Sequence, residues 1–275
     1  MALPVALQLY TVRDEMEKDF SATLKAVKAM GYDGVELAGL LGHSADEFCA
    51  VLAETGLKAE SAHVPLDDIL KDIDGTIKTY KKIGCKFIVI PYVTEERRPG
   101  AAKFEQTIEE IKKVGKALKD EGMQLLYHNH DFEFVKFEGE HGLDVLYART
   151  CPDCLSSEID TCWVNVAGVN PSDYVRKYTG RAPVVHLKDF YQSGKLASNL
   201  YALIGIDEEA KEEEEKGIFE FRPVGHGMQD MPSILAAAVD AGAGWVVVEQ
   251  DEPSQGNTRM ESAKMSRDYL RTLGW

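Results

Sequence analysis

Short apolar runs ending in metal-capable side chains recur through the second half of this chain, about 30 residues apart, and few folds accommodate that pattern. Met123 to Leu126 runs into Tyr127-His128-Asn129-His130, and Leu155 leads into Glu158-Ile159-Asp160-Thr161. Pro183 to Val185 runs into His186-Leu187-Lys188-Asp189, and Trp245 to Val248 later reaches Glu249-Gln250-Asp251. The runs are β-branched or leucine-rich and too short for ordinary helices, so each reads as a buried parallel strand. Polar residues at the C-terminal ends of such strands converge at one mouth when the sheet closes into a barrel.

The first half supplies the strands needed for closure. Val5 to Tyr10, Gly34 to Leu37, Lys58 to His63 and Phe87 to Pro91 each precede an amphipathic stretch: Asp19 to Met30, Ser44 to Glu54, Asp67 to Ile83 and Ala102 to Glu121. Gln124 to His128 then precedes Leu143 to Arg149, Leu155 to Asp160 precedes Pro171 to Tyr178, and Val184 to His186 and Trp245 to Glu249 complete eight strands. Gly31, Gly56 and Gly122 stand where left-handed helix caps are expected, and Ser44 with Glu47 has the spacing of a capping box. The sequence therefore predicts an α/β fold, a single (β/α)8 barrel over residues 1–275, whose length is near the usual size of about 250.

One loop breaks the even spacing. Phe190 to Arg222 contains the charged run Glu208 to Lys216, expected as a solvated helical excursion that, leaving from the catalytic face, could serve as a lid. The formal charge of −15, from 46 acidic and 31 basic residues, argues against nucleic acid and anionic membranes as partners. No apolar run approaches the roughly 20 residues of a membrane span, and Met1 leads almost directly into the first strand without the charged n-region of a signal peptide. A cytoplasmic protein with a small-molecule partner is expected, and a homo-oligomer is compatible with the sequence. Five scattered cysteines fit a reducing compartment better than a disulfide framework, with Cys151-Pro152-Asp153-Cys154 as a structural connection.

His128, Asp160, His186 and Glu249 end the last four strands, a mixed imidazole and carboxylate set suited to Mn²⁺, Zn²⁺, Co²⁺ or Fe²⁺ and poorly suited to Ca²⁺. His130 and Lys188 each follow a candidate ligand by two residues and so face the same way along an extended chain. His130 is a candidate ligand, proton carrier or substrate contact, and Lys188 could neutralise an alkoxide or bind a hydroxyl or phosphate. Glu158 lies one layer below Asp160, where a carboxylate needs a partner. Gln8, Tyr10, Glu36 and His63 are polar near the ends of the first three strands, with Glu36, His63, Glu158 and Arg222 as candidate substrate contacts. Asp189 and Asp251 read as rim residues.

The combination of Val35-Glu36-Leu37, Ser61-Ala62-His63, Tyr127-His128-Asn129-His130, Asp160-Thr161, His186-Leu187-Lys188-Asp189, Gly225-His226-Gly227 and Glu249 resembles the xylose-isomerase-like TIM-barrel superfamily over nearly the whole chain. That superfamily groups sugar isomerases and epimerases with inosose dehydratases, hydroxypyruvate isomerases and endonuclease IV. The resemblance places Asp160, His186 and Glu249 at three metal-ligand positions and His128 where many epimerases carry a glutamate. Trp163 stands where many relatives have histidine, and the His-Asn-His run is closer to the dehydratase-like branch.

The resemblance implies an enzyme using one divalent ion (Mn, Zn, Co or Mg) to act on a sugar or keto-sugar through an enediolate. Glu249, His128, His130 and Lys188 are its candidate catalytic groups. Isomerase or epimerase chemistry is the leading expectation, with keto-sugar or inosose dehydratase (lyase) second and a non-catalytic sugar-binding barrel third. Phosphodiester cleavage would want a basic groove that this composition opposes.

Overall fold

The computed structural model describes residues 2–194 and 217–275. Eight parallel strands close into a barrel: β1 (Val5–Gln8), β2 (Gly34–Ala38), β3 (Lys58–His63), β4 (Phe87–Ile90), β5 (Gln124–His128), β8 (Ser156–Asp160), β9 (Val184–Leu187) and β12 (Trp245–Val248). The two hairpins β6 (Lys136–Phe137) with β7 (Glu140–His141), and β10 (Asp189–Ser193) with β11 (Ile218–Arg222), lie outside the barrel. The pairing of β1 with β12, Leu7 opposite Val248, closes the ring.

Alternate residues point inward, and this period of two builds the interior in layers. Ala6, Val89, Leu126, Val184, Trp245 and Val247 form an apolar cluster of their own, separate from the larger core between strands and helices. Two residues further along the same strands come Gln8, His128, His186 and Glu249. The barrel thus changes from hydrocarbon to ionisable groups within one layer. Gly34 is required for this packing, because a Cβ there would lie 2.5 Å from the Lys58 carbonyl oxygen and 3.0 Å from the Trp245 ring.

The surrounding helices follow their sequence signals. Phe104–Asp120 buries Phe104, Ile108, Ile111, Val114 and Leu118 at helical spacing. Ser44 and Glu47 form the expected capping box, and Gly31 and Gly56 are left-handed caps. Glu121 takes the C-cap position for which Gly122 was expected; Gly122, next in the chain, has φ of 75°. The stretch expected as one helix from Asp67 to Ile83 is two, Leu66–Lys71 and Ile73–Ile83. Asp72 between them is extended, and its carboxylate caps the second helix by accepting from Gly75 N.

Cys151 and Cys154, expected as part of a structural connection in a reducing compartment, are joined in a disulfide. The turn carries the physical reason. The N–H groups of Cys154 and Leu155 both donate to the Cys151 carbonyl, at 2.8 and 3.0 Å, and the Cα atoms are drawn to 5.1 Å, within the reach of a bridge.

Among the described residues no helix is long and apolar enough to cross a membrane. The ends of the 190–222 excursion are the hairpin β10–β11, while the charged run Glu208 to Lys216 lies outside the described residues.

Candidate active site

Asn129 fixes the mouth of the barrel between β5 and β8. Its side chain accepts from Asp160 N at 3.0 Å and donates to the Asp160 carbonyl at 3.2 Å, leaving His128 and His130 to point into the barrel opening. Asp160 then divides its carboxylate. Oδ1 caps the helix Thr161–Val166 by accepting from Cys162 N and Trp163 N, at 2.8 and 3.0 Å. Oδ2 is buried without a hydrogen-bond partner among the described residues, with His128 Nε2 at 3.7 Å and Lys188 Nζ at 3.8 Å.

The ionisable groups form two tiers. In the lower tier Glu158 Oε1 receives His63 Nε2 at 2.7 Å, His186 Nε2 at 3.0 Å and His128 Nδ1 at 3.1 Å. Glu36 Oε1 receives His186 Nε2 at 2.7 Å, Gln8 Nε2 at 2.7 Å and His63 Nε2 at 3.0 Å, and Ser61 donates to its other oxygen. Burial lowers the His63 pKa, but the carboxylates of Glu36 and Glu158 outweigh it and raise it to about 10. They hold His186 well above the ordinary histidine range in the same way.

In the upper tier His186 Nδ1 faces Glu249 Oε2 at 3.3 Å, and Lys188 Nζ lies 3.0 Å from Glu249 Oε2 and 2.5 Å from Asp251 Oδ2. The mouth holds a cavity of about 360 Å³, lined on this side by His63, His128, His130, Lys188, Glu249 and Asp251. Burial, with Lys188 beside it, pushes the His130 imidazole well below its ordinary range, so the ring is neutral. Its Nδ1 has no hydrogen-bond partner among the described residues, and the ring stacks on Phe132 at 5.1 Å.

Two sets of four side chains bring ligand atoms within 4.8 Å of one another: His63, His128, Glu158 and His186, and His128, Asp160, His186 and Glu249. The second set fits a catalytic ion better. In the first set the Nε2 atoms of His63 and His186 are already taken by Glu36, a carboxylate outside the set. Both sets reach the cavity through two members, His63 and His128 in the first and His128 and Glu249 in the second, so it is the chemistry of the second set that distinguishes it. It contains the unpartnered Asp160 Oδ2, and both of its histidines have their far nitrogen held by a carboxylate, the usual support of a metal-bound imidazole. Charge agrees: with His186 neutral, as a ligating imidazole must be, Asp160, Glu249 and Asp251 against Lys188 leave two negative charges, which a divalent ion would balance. The same surplus appears in proton affinity. Burial and the charge of Glu249, opposed by Lys188, push Asp160 up to about 7 and Asp251 up to about 6.

The residues predicted from the sequence fall into three groups. His128, His130, Lys188, Glu249 and His63 border the cavity. Glu36 and Glu158, expected to touch substrate, lie fully buried beneath it and hold histidines instead. Arg222 pairs with Glu220 at 2.6 Å on β11 and does not border the cavity.

Asp189 is no rim residue: its carboxylate accepts from the backbone N–H groups of Phe190, Gly225, Gly227 and Gln229 and shapes the Gly-His-Gly turn. Asp251 stands in the cavity wall, and the two-residue spacing that singled out His130 and Lys188 applies to it as well, two after Glu249. Tyr92, Pro65 and Pro91 also line the cavity and carry no such ionisable signal.

A closed parallel barrel with buried imidazoles and carboxylates at the C-terminal strand ends defines a TIM barrel built on the plan of an enzyme. Residues 24–273 match the xylose isomerase-like TIM barrel, and the chain belongs to that family. It is 24% identical over 283 residues to an inosose dehydratase of Mesomycoplasma hyopneumoniae strain 7448, covering 92% of this chain and 88% of the relative. It is 28% identical over 173 residues to an inosose dehydratase of Lacticaseibacillus casei, covering 61% of this chain and 54% of the relative, so the match spans about half the length of that protein. A sugar phosphate isomerase/epimerase from Parabacteroides distasonis has the same fold, with a TM-score of 0.79 at 18% identity over 98% of this chain and 94% of that one.

Proposed function

We propose that this protein is a divalent-metal-dependent enzyme that removes a proton α to the carbonyl of a sugar or keto-sugar. The observation that carries this reading is the meeting of a carboxylate, a neutral imidazole and an ammonium on one cavity wall: Glu249, His130 and Lys188. An ion held by His128 Nε2, Asp160 Oδ2, His186 Nδ1 and Glu249 would supply Lewis-acid polarisation of the substrate carbonyl. Glu249 takes the α-proton. Lys188, fully buried and positive, offsets the negative charge that develops as the proton leaves. His130 is unprotonated and within the same cavity, so it can exchange a proton at a second position of the substrate.

Return of the proton gives an isomerase or epimerase. The inosose dehydratases among the relatives favour a second reading, in which the same deprotonated substrate loses its β-hydroxyl group as water, the departing oxygen taking up the proton that Glu249 removed. Both share the first step, so one experiment addresses both. A panel of keto-sugars and keto-inositols incubated with the protein and Mn²⁺ in D₂O is expected to gain deuterium α to the carbonyl, read by NMR. Failure of every member to exchange would remove the proton-abstraction chemistry.

The ligand set has its own test. Dialysed protein is expected to retain about one divalent ion per chain by elemental analysis, and Asp160→Ala and His186→Ala are each expected to lose it. Wild-type metal content in either variant would rule out the proposed set.

A further inference from the structure

The chemistry proposed above uses only one side of the cavity. Apart from His63, the lining imidazoles, carboxylates and ammonium stand at or just past the ends of β5, β9 and β12, backed by Asp160 on β8. The remaining wall is built at the ends of β1 to β4, which are contiguous in the barrel: Tyr10 after β1, Ala38 at the end of β2, Pro65 after β3, and Pro91 and Tyr92 after β4. A charged half therefore meets an apolar half across the same opening. Ala38, Pro65 and Pro91 have no side-chain donor or acceptor, so a polyol pressed against them would leave hydroxyl groups without partners. Tyr92, 39% exposed and edge-on to His130 at 6.1 Å, offers an aromatic face at the entrance.

Charge narrows the class further. Among the described residues lining the cavity the cations are already paired, Lys188 with Glu249 and Asp251, His63 with Glu36 and Glu158. No lining guanidinium or free ammonium is present there to receive a phosphate. The volume of about 360 Å³ lies at the small end of the roughly 300–1,000 Å³ of ligand cavities, room for one sugar ring and a compact substituent.

We propose that the wall of Tyr10, Ala38, Pro65, Pro91 and Tyr92 is a subsite for an apolar group attached to the carbohydrate. The substrate class is then a neutral sugar bearing an aromatic or alkyl substituent, not a sugar phosphate or a bare polyol. This rests on the reading that the opposite wall binds a carbohydrate.

Binding alone tests it, separately from turnover. The metal-loaded protein is titrated by NMR with phenyl and methyl β-glycosides of glucose, galactose, mannose and xylose. At least one phenyl glycoside is expected to bind about 10-fold tighter than its methyl counterpart, the order expected for burying an aromatic ring. Saturation transfer should be strongest to the phenyl protons. Tyr92→Ala is expected to abolish the preference and Tyr92→Phe to keep it, and glucose 6-phosphate is expected to bind no tighter than glucose. Absence of phenyl glycoside binding, equal affinities within every pair, or tighter binding of the phosphate each overturns the proposal. If the preference appears and no keto-sugar exchanges deuterium, the subsite stands and the chemistry proposed for the opposite wall falls. If exchange occurs without the preference, the reverse holds.

Discussion

Glu249→Gln is expected to lower α-proton exchange at least about 100-fold with metal supplied in excess, the lower range for loss of a general base and equivalent to about 2.7 kcal/mol in the barrier. The substitution keeps size and shape while removing the negative charge and the proton affinity. Glutamine keeps an oxygen that Lys188 can reach where it now lies 3.0 Å from Oε2, and it keeps the side-chain length that brings the group to His186. Metal content measured in parallel separates a lost base from a lost ligand. Undiminished exchange in a metal-loaded variant would take the base role from Glu249 and pass it to His130, whose buried ring is held well below the ordinary pKa and whose Nδ1 has no hydrogen-bond partner among the described residues.

The second large effect belongs to a residue buried beneath the cavity. Glu158→Leu is expected to lower stability by about 3–5 kcal/mol, the usual result of removing one partner of a buried ion pair. Three imidazoles lose their common acceptor at once, and His63 and His186 are left to share Glu36. At roughly 2–4 °C per kcal/mol for a chain of this size, the melting temperature falls by about 10 °C. Calorimetry at one scan rate measures it, with Glu158→Gln, which retains an acceptor, expected to fall less. A drop under about 2 °C in the leucine variant would show that the lower tier is not held by this carboxylate.

The barrel was legible in the sequence because its two strongest signals are local. Eight short apolar runs recur along the chain, six of them followed by an amphipathic stretch, and closure follows from the number of runs. The upper tier was legible for a related reason: a residue at a strand end keeps its place at the mouth whatever the packing around it, so His128, Asp160, His186 and Glu249 could be brought together before any distance was known. The lower tier was not. Whether Glu36 points at a substrate or at a histidine depends on the stagger between β2 and β9, three-dimensional information that no spacing within one strand contains.

The Asp189 turn was hidden for the same reason, since its four amide partners lie up to 40 residues along the chain. The Cys151–Cys154 bridge depends on the conformation of a single turn. The split of one expected helix at Asp72 turned on a side chain that could equally have continued it.

The barrel also keeps two kinds of information in different parts of the chain. The groups that handle protons and charge stand on strands and are tied to one another through the interior, so a change in any of them is felt by several others. The apolar wall stands mostly on loop residues after β3 and β4; of its members Tyr10, after β1, is tied to the lower tier, its N–H donating to Gln8 Oε1 at 3.0 Å. Exchanging those loops would redirect what the protein accepts while leaving intact what it does.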